Sequence, residues 1–167
     1  MRKFVMLAAL AACGSGDPTH WKDQPLEEQT GTVESHAYAI KLPKGMVKRT
    51  SGTTDEYQYK AKRGGELYVF APWLTIQWDA QKDTVDDAMK FVKTTPLKKE
   101  ASADGYVVVY PNDSGKKDKE DYLIEIARYV GDGQFSCHAR LYEMKRGESV
   151  KDLIPKVEAM CNSITAK

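Results

Sequence analysis

Apolar and polar positions alternate over several stretches of this chain, which is the period of a half-buried β-strand. His36-Ala37-Tyr38-Ala39-Ile40-Lys41-Leu42 alternates and runs into a turn at Pro43-Lys44-Gly45. Tyr57, Tyr59 and Ala61 alternate with Gln58, Lys60 and Lys62, Arg63-Gly64-Gly65-Glu66 has the residues of a tight hairpin, and Leu67-Tyr68-Val69-Phe70-Ala71 returns. Pro72 lacks a ladder donor and predicts a break or bulge before Leu74-Thr75-Ile76-Gln77-Trp78. Gly105 to Tyr110 is apolar on both faces, as in a strand covered on both sides. Ser114 to Asp121 is charged and loop-like, and Tyr122–Val130 and Gln134–Glu143 then form a hairpin over Gly131-Asp132-Gly133.

Two stretches have the helical period instead. Asp83-Thr84-Val85-Asp86-Asp87 reads as a helix start with acidic residues in its first turn. Val85, Ala88, Met89 and Val92 make its apolar stripe, and Thr94-Thr95-Pro96 stops it. Residues 149–165 carry a second stripe of Val150, Leu153, Ile154, Val157, Met160, Cys161 and Ile164. The order of strands, helix, strands and helix predicts an α+β domain, a mainly antiparallel sheet with helices packed on its faces. Residues 13–30 are rich in Gly, Ser, Asp, Pro, Gln and Glu without an apolar period, which predicts a flexible tether before a single domain over 31–167.

The first twelve residues read as a secretory signal. Arg2 and Lys3 form a positive region, and Phe4 to Ala11 is an apolar run of eight residues, too short at 1.5 Å per residue for a hydrocarbon core of ~30 Å. The run closes in Leu10-Ala11-Ala12-Cys13, which resembles the lipobox of bacterial lipoproteins. That resemblance implies cleavage before Cys13, a diacylglycerol on its thiol and an acyl chain such as palmitate on its amine. Gly14 stands where that family's aspartate signals inner-membrane retention, which implies an outer-membrane anchor facing the periplasm. The alternative, an ordinary thiol in an N-terminal helix, conflicts with the helix-breaking Gly14-Ser15-Gly16-Asp17-Pro18.

Composition narrows the function classes. The chain is 41% hydrophobic and 29% charged, so it can bury a core. Its 25 basic and 24 acidic residues give +1, and no basic face stands out, which argues against nucleic acid as a partner. Without residues 1–12 the balance becomes 23 against 24.

With Cys13 assigned to lipid, Cys137 and Cys161 remain. An exported protein with two such residues favours a disulfide, the alternative being two buried free thiols. Phe135, Cys137, Ala139 and Leu141 share one strand face, and Cys161 lies on the apolar stripe of the final helix. A helix lying on that strand would join them.

The order of elements from residue 32 to 166 resembles the PsbP-like fold family, an α/β/α sandwich. That family includes an extrinsic protein of photosystem II, a yeast Ran-binding import factor and bacterial envelope lipoproteins. The features that carry the resemblance are an opening strand entering Leu42-Pro43-Lys44-Gly45-Met46, a middle helix, a two-strand return and a closing helix ending Cys161-Asn162-Ser163-Ile164. It implies a domain that binds proteins or stabilises an assembly.

No catalytic motif, EF-hand loop or zinc-ligand spacing is present, so no catalytic residue, metal or cofactor is expected and the chain reads as non-enzymatic. His138, Arg140 and Tyr142 share a strand face, a candidate polar site or simply the outer face of a sheet. Trp73 is a candidate partner anchor or a core residue, and Tyr57 and Tyr59 would extend its patch. The function expected is therefore a lipid-anchored envelope protein that binds or assembles another envelope protein. The alternative is a carrier of a small hydrophobic ligand or lipid in a pocket between sheet and helix.

Overall fold

A computed structural model describes residues 20–63, 66–113, 119–143 and 149–167. Residues 1–12, expected to be a leader, Cys13, Gly64 and Gly65 of the expected hairpin turn, and residues 114–118 of the expected loop lie outside the described residues. Among those described, a 3₁₀ turn at His20–Asp23 leads into β1 (Leu26–Val33), β2 (His36–Pro43), β3 (Met46–Ser51), β4 (Thr54–Arg63) and β5 (Glu66–Asp79). Helix α1 (Val85–Met89) follows, then β6 (Lys98–Ser102), β7 (Gly105–Pro111), β8 (Asp121–Val130) and β9 (Gly133–Tyr142). A second 3₁₀ turn at Lys151–Leu153, α2 (Ile154–Asn162) and β10 (Thr165–Ala166) complete the chain.

Every strand pair is antiparallel. The large sheet has the order β3-β4-β5-β9-β8-β7-β6 and the small one β1-β2-β10. The small sheet and α2 cover one face of the large sheet, here called the inner face. Tyr38, Ile40 and Leu42 of β2 meet Tyr57, Leu74, Ile76, Ile126 and Phe135 of the large sheet, together with Val157 and Met160 of α2. On the opposite, outer face Val85, Ala88 and Met89 of α1 pack on Tyr106, Val108 and Ala127.

The sheets are antiparallel, but this is neither the α+β domain with helices packed on its faces that the order of elements predicts nor the α/β/α sandwich that the resemblance implies. The inner face is covered mainly by a second sheet. On the outer face lies a helix of five residues, none of them buried, which packs on Tyr106, Val108 and Ala127 at the β7–β8 end of the sheet. The cause lies in residues 20–30, which composition assigns to the tether. Trp21 is 1% exposed in the core, and Leu26 to Val33 pairs along its whole length with Pro43 to His36. Only residues 13–19 remain between Cys13 and the domain.

Local chemistry explains the boundaries. Glu34 and Ser35 both take positive φ, the conformation a two-residue hairpin turn needs, without the Asn-Gly pair that would advertise it. Between Gln58 and Tyr59 the β4–β5 register shifts, because Ala71 and Pro72 have no counterparts on β4. At Gly105, with φ of 142°, a Cβ would overlap the Ala127 carbonyl oxygen, so the β7–β8 pairing requires glycine there.

Helix α1 starts in a capping box. The Asp87 amide donates to Thr84 Oγ1 at 3.2 Å and the Thr84 amide donates to Asp87 Oδ2 at 2.9 Å. The Thr84 hydroxyl, which donates to Asp87 Oδ2 at 2.6 Å, and then the Thr84 amide hold the exposed Asp87 carboxyl below the usual carboxylate range. Thr84→Ala is expected to lower the stability of the whole domain by about 1 kcal/mol, read from the urea midpoint.

Candidate binding surface

Alternation along β9 buries Phe135, Cys137, Ala139 and Leu141 on the inner face and places Ser136, His138, Arg140 and Tyr142 on the outer one. The antiparallel registers then line up one outer-face row, Val47, Gln58, Trp73, Arg140, Leu123 and Tyr110, across six strands. Five strand intervals make this row roughly 24 Å long. Val47 and Trp73 are each 44% exposed, and Phe91, which borders the far end of the row, is 84% exposed. Among the described residues five large hydrophobic side chains are exposed, and these three of them share one side of the molecule. Gln58 and Arg140 stand between them, so the row alternates exposed apolar groups with polar ones, a mixture common in protein interfaces.

The polar part of the row is fixed in place. Arg140 forks onto Asp121, Nε donating to Oδ1 at 3.1 Å and Nη2 to Oδ2 at 2.6 Å, and its guanidinium lies 5.4 Å from the Tyr142 ring centre. Asn112 Nδ2 donates to the same carboxylate at 3.0 Å. In the neighbouring row Glu125 accepts from the Tyr106 hydroxyl at 2.9 Å, and His138 Nδ1 lies 3.7 Å from its other oxygen. Burial first, and then the Glu125 carboxylate, push the Tyr106 hydroxyl far above the usual phenol range, so it stays protonated and donates.

The structure thus brings Trp73, His138, Arg140 and Tyr142 onto one face. It places Tyr57 and Tyr59 elsewhere, 0% and 7% exposed in the core. The register is the reason, because Trp73 faces Gln58 across the ladder while Tyr57 faces the inward-pointing Leu74. The sulfurs of Cys137 and Cys161 meet at bonding distance, their Cα atoms 5.7 Å apart, and join β9 to α2.

Two features escape sequence reasoning. One is an open groove of about 420 Å³ between the α1 segment and the outer face, bordered by Phe91, Tyr110 and Leu123. Its walls come from separate parts of the chain, so no local pattern marks it. The other is a buried polar network under the small sheet. Asp55 is fully buried, accepts from the Tyr38 hydroxyl at 2.7 Å and from Thr50 Oγ1 at 2.7 Å, and lies 2.8 Å from Lys48 Nζ. The Tyr57 hydroxyl is 2.9 Å from that of Tyr38. The signal for it was an aspartate in phase with Tyr57 and Tyr59, at a position where the alternation requires an inward side chain. Gly31 belongs to this packing, since a Cβ there would overlap the Tyr38 hydroxyl and Asp55 Oδ2. Every charge in the network is paired, which makes it a structural element of the sandwich.

Among the described residues no group of three or more His, Cys, Asp or Glu is arranged to hold a metal ion, and no helix is long and apolar enough to cross a membrane. No family model matches the chain, and no curated protein matches it. Solved structures of similar fold include the Saccharomyces cerevisiae Ran-binding protein Mog1p, with a TM-score of 0.56 and 10% identity over 84% of this chain and 96% of that one. A mutant of Mog1 matches with the same TM-score and identity over 83% of this chain and 95% of that one. The likeness is one of fold, and it sets the sheet-rich arrangement described above in place of the α/β/α sandwich.

Proposed function

We propose that this chain is a non-enzymatic binding protein of the bacterial envelope, anchored by lipid at Cys13, whose outer face docks on a partner protein. The observation that carries the reading is the row from Val47 through Trp73 to the Phe91 groove, apolar at its ends and held rigid by the Arg140–Asp121 fork at its centre. Exposed tryptophan and arginine in fixed geometry are the side chains that dominate protein interfaces. A solved protein of similar fold is described as Ran-binding, which supports the use of this fold for protein recognition.

The anchor rests on Leu10-Ala11-Ala12-Cys13. Seven residues, 13–19, then separate the lipid from His20, a reach of at most ~25 Å. The 3₁₀ turn at His20–Asp23 sits on the inner-face side, where Lys156 of α2 donates to the Lys22 carbonyl at 2.7 Å. A leash attached there leaves the Trp73 face, on the other side of the large sheet, free to meet proteins in the periplasm. Labelling cells with an alkyne-bearing fatty acid is expected to mark the wild-type chain and to leave Cys13→Ser unmarked. Chemical crosslinking in intact envelopes is expected to give a discrete adduct that Trp73→Ala reduces about tenfold or more. Unlabelled wild type would overturn the anchor, and an undiminished Trp73→Ala adduct would overturn the docking face.

The second reading, a carrier of a small hydrophobic ligand, is favoured by one observation, the groove beside Phe91. That groove is open along its length and contains a carboxylate, which leaves a hydrocarbon chain partly in water and beside a charge. The partner-binding reading accounts for the charge as well as the apolar walls.

A further inference from the structure

The outer-face groove combines apolar walls with a charged floor. Ala88, Phe91 and Val92 form one side and Tyr110, Pro111 and Leu123 the other. The charged residues that line it are two carboxylates, Glu125 and Asp113, and one ammonium, Lys93. The Glu125 side chain is only 17% exposed. Its Oε1 accepts the Tyr106 hydroxyl, while its Oε2 faces His138 Nδ1 at 3.7 Å, beyond hydrogen-bonding distance. Arg140, the nearest cation along the row, is committed to Asp121. A half-buried carboxylate with an under-used oxygen, set between apolar walls, best accommodates a charge-assisted donor carried on an apolar stem.

We propose that this groove receives an arginine or lysine side chain of the partner protein, its stem against Phe91 and Leu123 and its cationic head on Glu125 Oε2. The proposal rests on the reading that the outer face docks a protein, because Leu123 sits next to Arg140, and Arg140 next to Trp73, in the same row. The excess of carboxylates selects a cation, and the apolar walls select a side chain long enough to cover them. A partner that fills the groove would thereby set its register against Trp73.

The test titrates the isotope-labelled full chain with two probes of equal shape, n-hexylguanidinium and neutral n-hexylurea, and follows the amides of Tyr110, Leu123 and Glu125 by NMR. The guanidinium is expected to bind about tenfold more tightly than the urea, and Glu125→Gln is expected to abolish the difference. Equal affinity in the wild type, no shift in these amides, or a difference that persists in Glu125→Gln overturns the proposal. The comparison of the two probes is made within the wild type, so it holds even if the variant folds poorly. Equal probe affinities with the Trp73-dependent adduct retained would remove the cation groove and leave the docking face. Clear discrimination without any adduct would overturn the partner reading on which the proposal rests.

Discussion

Replacing Asp55 with alanine is expected to destabilise the domain by about 1–3 kcal/mol, measured by urea unfolding at neutral pH. The carboxylate is fully buried between the sheets and satisfies Tyr38, Thr50 and Lys48 at once. Alanine leaves the Tyr38 and Tyr57 hydroxyls with only each other, in a site where Tyr38 is 0% exposed, while Lys48, whose side chain is 32% exposed, turns to water. Asp55→Asn retains an acceptor of the same size and is expected to cost less than alanine.

The same residue gives the domain an acid limb. Burial by itself would raise the Asp55 carboxyl, but the hydrogen bonds from Lys48, Thr50 and Tyr38 outweigh it and hold the group below its ordinary value. Its contribution is therefore complete above the unfolded-state value of about 3.9 and fades as pH falls below it. The stability difference between wild type and Asp55→Asn is expected to be constant from pH 5 to 8 and to narrow toward pH 3. A constant difference across the whole range, or an alanine cost under about 1 kcal/mol, would contradict the paired-carboxylate account.

Loss of the Cys137–Cys161 link is the second large effect expected. The two residues are 24 apart in sequence, so the link removes about 3 kcal/mol of chain entropy from the unfolded state in the loop-closure model. Helix α2 has nine residues, too few to persist alone, and no side chain caps it at Leu153. It is held by the buried Ile154, Val157, Met160 and Cys161 and by Glu120, whose Oε2 accepts from the amides of Val150 and Lys151 at 2.7 and 3.2 Å. The double variant Cys137→Ala/Cys161→Ala is expected to melt about 6–12 °C lower than wild type. Amide exchange over α2 and β10 is expected to rise most, because β10 holds the small sheet by two residue pairs only. An unchanged melting temperature would mean that packing alone fixes α2.

Parity along a strand is readable from sequence, and register between strands is not. Alternation locates β2, β4, β8 and β9, and it puts His138, Arg140 and Tyr142 on one face and Cys137 on the other. Tyr57 and Tyr59 go to the wrong surface because a one-residue difference in pairing decides whether they accompany Trp73 or Leu74. Strands β1 and β6 are invisible for another reason. Val33 is the only buried side chain of β1 and none of β6 is buried, so main-chain pairing makes them strands and no apolar period announces them. The polarity of β6, Lys98-Lys99-Glu100-Ala101-Ser102, suits an edge that must not pair further. Without β1 the tether gains residues that belong to the domain, and the inner face is left to a helix alone where a sheet and α2 together cover it. The groove is beyond the reach of sequence because Phe91, Tyr110 and Leu123 come together only when α1 lands on β6 and β7.

Whether the outer face meets a partner protein is tested most directly by a photo-crosslinking amino acid placed in turn at Gln58, beside Trp73 in the row, and at Glu28 of the small sheet, in cells that retain the native envelope. The expected result is a discrete protein adduct from position 58, weakened when Cys13→Ser releases the domain, and none from position 28. Adducts of equal yield from both positions, or from position 28 alone, would contradict it.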